Sequence, residues 1–174
     1  MYRKLFERRP LCSMATAASV ICAGMLGAVA LPSLADHGFP HVEVLARGTF
    51  LDDVGMTLRS KVGGRATRVV QMDDSSDIMV MRITIGPGGV APWHDHTGTG
   101  FLVNLGPGTL TNYLGENCVP RHFYPGEAFV DPGQGNLHAV RNDSGLEVVL
   151  IATFLGVEGG PVTPAPEPGN CDVL

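Results

Sequence analysis

Gly88-Gly89-Val90-Ala91-Pro92-Trp93-His94-Asp95-His96, followed after an apolar run by Gly106 and Gly108, is the stretch on which the fold turns. Alternate side chains of a β-strand share a face, so His94 and His96 point one way and Asp95 the other. Two imidazoles placed in this way can chelate one ion. His138 stands on a later strand that follows Gly126, Pro132, Gly133 and Gly135, and there it shares a face with Val140 and Asn142.

Outward from this stretch the chain keeps one texture. Short runs rich in Val, Ile, Thr and Phe recur over 42–48, 66–72, 77–85, 101–105, 108–114, 127–131, 137–142 and 147–155, with Gly, Pro, Asn and Asp between them. No helical period longer than a few residues interrupts them. That spacing predicts an all-β sandwich or barrel. Residues 36–65 supply an edge strand and a less regular lead-in, 66–160 the barrel, and 161–174 a tail. Pro164, Pro166 and Pro168 keep that tail out of any central strand, so it should wrap the surface towards Cys171.

These residues resemble the cupin family, whose first motif is G-x5-H-x-H-x3,4-E-x6-G and whose second is G-x5-P-x-G-x2-H-x3-N. The first is matched from Gly88 through His94 and His96 to Gly108, the second from Gly126 through Pro132, Gly135 and His138 to Asn142. The second carries one extra residue between Pro132 and Gly135. The resemblance covers roughly residues 77–156 and implies a double-stranded β-helix, a jelly-roll barrel, with His94, His96 and His138 converging on one divalent metal. It also implies that dimers form through edge strands.

The family's glutamate should fall at position 100 or 101, where this chain has Gly100 and Phe101. The expectation is therefore a site whose fourth protein ligand is missing. Three imidazoles suit iron(II), copper, zinc or nickel better than carboxylate-seeking manganese, and three protein ligands with an open position is how catalytic metal sites are usually built. Thiol dioxygenases of the same family are similar in using three histidines without the glutamate, a likeness of ligands that names no substrate.

Other residues invite plainer readings. His37, His41 and His122 match no motif and read as surface residues. Asp95 should be solvated or orient an imidazole, and Trp93 and Phe101 should pack the barrel or its mouth. Asn104 and Tyr113 are candidates to face the cavity. Met79 and Met81 suggest core filler more than copper ligands. Glu116 and Glu127 each follow a turn glycine and should be exposed. No catalytic residue is assigned.

The first 35 residues stand apart. Arg3, Lys4, Arg8 and Arg9 precede a nearly uncharged apolar stretch from Met14 to Leu31 that ends in Ser33-Leu34-Ala35. This reads as a secretory signal peptide cut before Asp36, giving a periplasmic or secreted protein; an uncleaved anchor is the alternative, and the Arg8-Arg9 pair leaves a twin-arginine route open. Cleavage takes four of 12 basic residues and one of 17 acidic ones, leaving a balance of about −8. Nucleic acid is a poor partner for such a chain, and no mature segment is apolar for long enough to span a bilayer. Cys12 and Cys22 leave with the leader. Cys118 and Cys171 remain and are most simply a disulfide in an exported domain, with thiolate ligation the weaker alternative.

Two functions are in play, with a metal-free interaction module as a third. One is a metal-dependent oxygenase, lyase or isomerase on a small organic molecule, which should surround its metal with a defined polar pocket. The other is a non-catalytic module that captures a metal or small ligand, with a cavity that is narrow or wholly apolar beyond the histidines.

Overall fold

Met79, Met81 and Ile85 alternate with half-buried or exposed neighbours along one strand, and this period of two sets which face of the sheet meets the core. The computed structural model describes residues 38–61, 64–73, 75–157, 162–169 and 171. His37 and the leader lie outside them. The described strands are β1 (His41–Thr49), β2 (Met56–Ser60), β3 (Arg68–Met72), β4 (Asp77–Ile85), β5 (Val90–Asp95) and β6 (Thr99–Asn104). They continue as β7 (Leu110–Leu114), β8 (Pro120–Phe123), β9 (Ala128–Asp131), β10 (His138–Arg141), β11 (Val148–Leu155) and β12 (Thr163–Pro164).

Two five-stranded antiparallel sheets face each other, ordered β1-β4-β11-β6-β9 and β12-β5-β10-β7-β8, with β2-β3 as a separate hairpin. The core between them is built from Met79, Met81, Ile85, Leu102, Leu110, Val148, Leu150 and Phe154 among others. The two methionines therefore belong to the packing. At about 25 cal/mol per Å² of apolar area removed from water, these side chains are the main favourable contribution to the fold.

Three strands escape the sequence reading or shift in it. β2 and β8 carry too few apolar residues in alternation to register; β8 buries only Phe123 and sits on a sheet edge. β5 ends at Asp95, one residue before His96. Phe101 corrects a different expectation. Positions 100, 102 and 104 of β6 face inward, so Phe101 lies on the outer face, 38% exposed, and does not pack the barrel or its mouth. Trp93, 2% exposed, does pack.

Two buried asparagines hold the turns. Asn142 donates to the carbonyls of Ile85 and Leu146 and accepts from the Ser144 amide and hydroxyl. Asn104, expected as a possible cavity residue, is instead wholly buried; it donates to the Gly108 and Phe123 carbonyls and accepts from the Gly106 amide. Each satisfies backbone groups that would otherwise be buried without partners, the costly outcome in a core.

Cys118 and Cys171 form a disulfide, with Cα atoms 5.5 Å apart. It packs with Trp93, Ala139, Tyr113 and Leu137. Thiolate ligation by these cysteines is thereby set aside. The tail approaching Cys171 adds β12 to the edge of β5, with Pro164 opposite His94 and Thr163 opposite Asp95.

Candidate metal centre

His94 and His138 are direct partners across the β5–β10 ladder, so both side chains leave the sheet on its inner face. His96 follows the end of β5. The three offer ligand atoms that all lie within 4.8 Å of one another. Their ring centroids are 4.2 Å apart for His94 and His138, 5.0 Å for His94 and His96, and 5.2 Å for His96 and His138. All three are buried, His94 being the most accessible at 9%.

The backbone sets the tautomers. His94 Nδ1 lies 2.6 Å from the Pro92 carbonyl and His138 Nδ1 lies 2.8 Å from the Asn136 carbonyl. A carbonyl only accepts, so each Nδ1 carries a proton, which leaves Nε2 as the atom that can serve a metal. Burial, then the neighbouring His138, push the His94 pKa down to about 3; the Pro92 carbonyl opposes this, His96 adds to the depression, and Asp131 weakly opposes it. His94 is therefore neutral and ready to ligate across the physiological range.

A consequence for stability follows. The unfolded chain protonates His94 near its ordinary value of 6.5 while the folded chain resists down to about 3. Stability of the metal-free protein is therefore fullest above pH 6.5 and falls as the pH drops towards 3, by at most about 1.4 kcal/mol per pH unit from this group. Urea unfolding at a series of pH values should show that slope in the wild-type protein and a shallower one in His94→Gln.

Asp131 is the residue the sequence reading missed. Its Oδ2 lies 3.3 Å from His96 Nε2 and 3.2 Å from His138 Nε2. Oδ1 accepts from the Gly133 amide and from Asn136 Nδ2, both at 2.9 Å. Oδ2, fully buried, makes no hydrogen bond. The signal was available in Asp131-Pro132, the residue before the second motif's proline, but nothing in strand parity says that it meets the histidines. Position 100 carries no carboxylate, as read from the sequence, but one from a different strand stands beside two of the histidines.

The remaining candidates fall elsewhere. Asp95 neither floats in solvent nor orients an imidazole; it accepts from the His96 amide at 2.8 Å and from the Gly135 amide, bracing β5 against the turn that follows Pro132. Tyr113 packs beside the disulfide. Glu116 is exposed and pairs with Arg65 at 2.9 Å, and Glu127 is exposed and caps the Tyr124 amide. His41 and His122 are exposed.

The histidines open on a cavity of about 430 Å³. Its walls are apolar, with Met81, Ile85, Leu102, Leu110, Val140 and Phe154 from the two sheets and Val162 and Pro164 from the tail. Among the described residues the ionisable groups that line it are His94, His96, His138 and Asp131. Among the described residues no lysine or arginine lines it.

No family model matches the chain, and no curated protein matches it either. Solved structures do. A protein with a double-stranded β-helix domain from Klebsiella pneumoniae is 14% identical, over 78% of this chain and 90% of its own, with a TM-score of 0.50. A cupin domain from Bordetella pertussis is 21% identical over 61% of this chain and 97% of its own, with a TM-score of 0.41. A polyketide cyclase from Streptomyces resistomycificus is 20% identical over 52% of this chain and 64% of its own, with a TM-score of 0.44. At such identities the likeness speaks for the fold alone. The two facing antiparallel sheets and the double-stranded β-helix neighbour agree, and the chain has the cupin fold.

Proposed function

We propose that this chain is an exported metal-dependent barrel that takes a small, uncharged, apolar organic molecule against a divalent ion held by His94, His96 and His138, and that it carries out oxygenase chemistry there. One observation carries the reading: three buried imidazoles whose ligand atoms all lie within 4.8 Å of one another, at the end of a cavity whose walls are otherwise apolar. The donor set fits an ion, because the buried Oδ2 of Asp131 stands 3.3 Å from His96 Nε2 and 3.2 Å from His138 Nε2 yet makes no hydrogen bond. A buried carboxylate oxygen left without a partner is costly unless positive charge lies beside it.

The chain's own residues divide the work. The carbonyls of Pro92 and Asn136 fix the imidazoles. The apolar walls exclude water and select by shape. Along these walls, among the described residues, a phosphate or carboxylate on the substrate would meet no basic side chain, so an anionic group could be held only at the metal. A metal bound here would supply Lewis acidity and an anchor for dioxygen. Among the described residues the ionisable groups of the pocket are the three histidines and Asp131, fewer than the defined polar pocket expected of an enzyme. This weighs against lyase or isomerase chemistry that relies on protein acids and bases, and equally towards capture without turnover. An oxygenase asks little of such groups.

The same apolar lining favours a second reading, metal-dependent capture without turnover. Export rests on the basic, apolar and small-residue order of residues 1–35. Elemental analysis of untagged protein, followed by oxygen uptake with uncharged aromatic and aliphatic probes, separates the cases. Iron or copper at one per chain, with probe-dependent oxygen uptake, is the expected result. Metal-dependent probe binding without uptake or product supports capture. Protein that refuses every metal on reconstitution overturns both.

A further inference from the structure

We infer that Asp131 is the fourth protein ligand of this centre, its carboxylate delivered from β9 across the sheet from the position where the family pattern places a glutamate. The inference rests on the metal reading above and deepens it.

The registers of β4, β11, β6 and β9 put Met79, Phe154, Gly100 and Asp131 in one row: Phe154 pairs with Met79 and with Gly100, and Gly100 pairs with Asp131. Directly paired residues of antiparallel strands project to the same face. A carboxylate on residue 131 therefore leaves the sheet beside the place where one on residue 100 would leave it. Position 100 itself is closed to any side chain, since a Cβ there would stand 2.5 Å from the Phe154 ring. Phe154 fills that space and lies with its ring centroid 4.6 Å from that of His96. The aromatic ring has taken the glutamate's room, and the acid has moved one strand over.

The distances to His96 and His138 suit ligation of an ion shared with them. Two ligands each about 2.1 Å from one ion, at angles between the octahedral and tetrahedral values, are separated by about 3.0–3.4 Å. Asp131 Oδ2 stands 3.3 Å and 3.2 Å from two imidazole nitrogens. Its other oxygen is occupied by Gly133 and Asn136, which aim the free one at the histidines. Orienting one carboxylate oxygen so that the other can ligate is common at metal centres. A carboxylate in the set also returns manganese to the acceptable ions and neutralises one of the two metal charges inside an apolar cavity.

Co(II) added alone to metal-free protein is the probe, in wild type, Asp131→Asn and His94→Ala. Asparagine keeps Oδ1 for the turn and changes only the atom that faces the histidines. Co(II) should bind Asp131→Asn more than about 100-fold more weakly than wild type, beyond what outer-shell changes usually cause, with a changed visible d–d spectrum. Infrared difference spectra of wild-type protein carrying isotope-labelled aspartate, with and without Co(II), need no variant and should show a shifted carboxylate stretch. Unchanged affinity and spectrum in Asp131→Asn, or no aspartate shift, with binding still lost in His94→Ala, would overturn the fourth ligand and leave the three-histidine centre standing. A wild-type protein that binds no Co(II) removes both.

Discussion

Alanine in place of His94, His96 or His138 is expected to leave a folded barrel that no longer retains metal through gel filtration, with affinity reduced well over 100-fold for each single change. The expectation is larger than for any other substitution outside the centre, because a lost ligand removes a bond to the ion, whereas losing an outer partner such as the Asn136 carbonyl's hold on His138 only misorients one, typically a 10- to 100-fold effect. The fold should survive. The three rings crowd one another, with centroids 4.2 to 5.2 Å apart, and removing one leaves the surrounding Leu and Phe packing in place. Metal content and the melting temperature of metal-free protein, measured on the same samples, check this. Full occupancy in any one variant would take that histidine out of the centre, and a collapsed melting temperature in all three would mean that the rings serve the core.

Cys171→Ser is the second large effect, and it reaches from stability into the site. The disulfide closes a separation of 53 residues, which the chain-entropy model values at about 4 kcal/mol. For a folded domain of this size that corresponds to a drop in melting temperature on the order of 10 °C. Cys171 is also 5% exposed, packed against Trp93 and Ala139, so a serine hydroxyl there adds a polar burial cost. The functional consequence comes from β12. Thr163 and Pro164 pair with Asp95 and His94, and Val162 and Pro164 line the cavity. Releasing the tail therefore loosens one wall of the cavity beside a candidate ligand. Differential scanning calorimetry should record the lower melting temperature, and exchange of bound Co(II) against a chelator should run faster in the variant. Unaltered exchange with a lowered melting temperature would confine the disulfide to stability.

Much of this was legible in order and spacing. His94 and His96 two residues apart, glycines flanking them and His138 before Asn142 report local backbone geometry, and local geometry is written in neighbouring residues. The period-two pattern of β4 and β11 was equally plain, because both bury one face against the core. β8 was illegible for the opposite reason: as an edge strand with one buried residue it has almost no pattern to read.

By itself, then, the sequence determined the all-β class, the three candidate ligands and the two cysteines left to pair. Tertiary structure decided how the centre is completed. Phe101 and Gly100 could be assigned to faces only once the register of β6 against β11 was known, and Asp131 could be assigned to the histidines only once β9 was paired with β6. Register is a long-range property, set by how two sheets share one core and not by residues adjacent in the chain. For that reason the chain can lack a glutamate where the pattern places one and still bring a carboxylate to the same side of the same sheet.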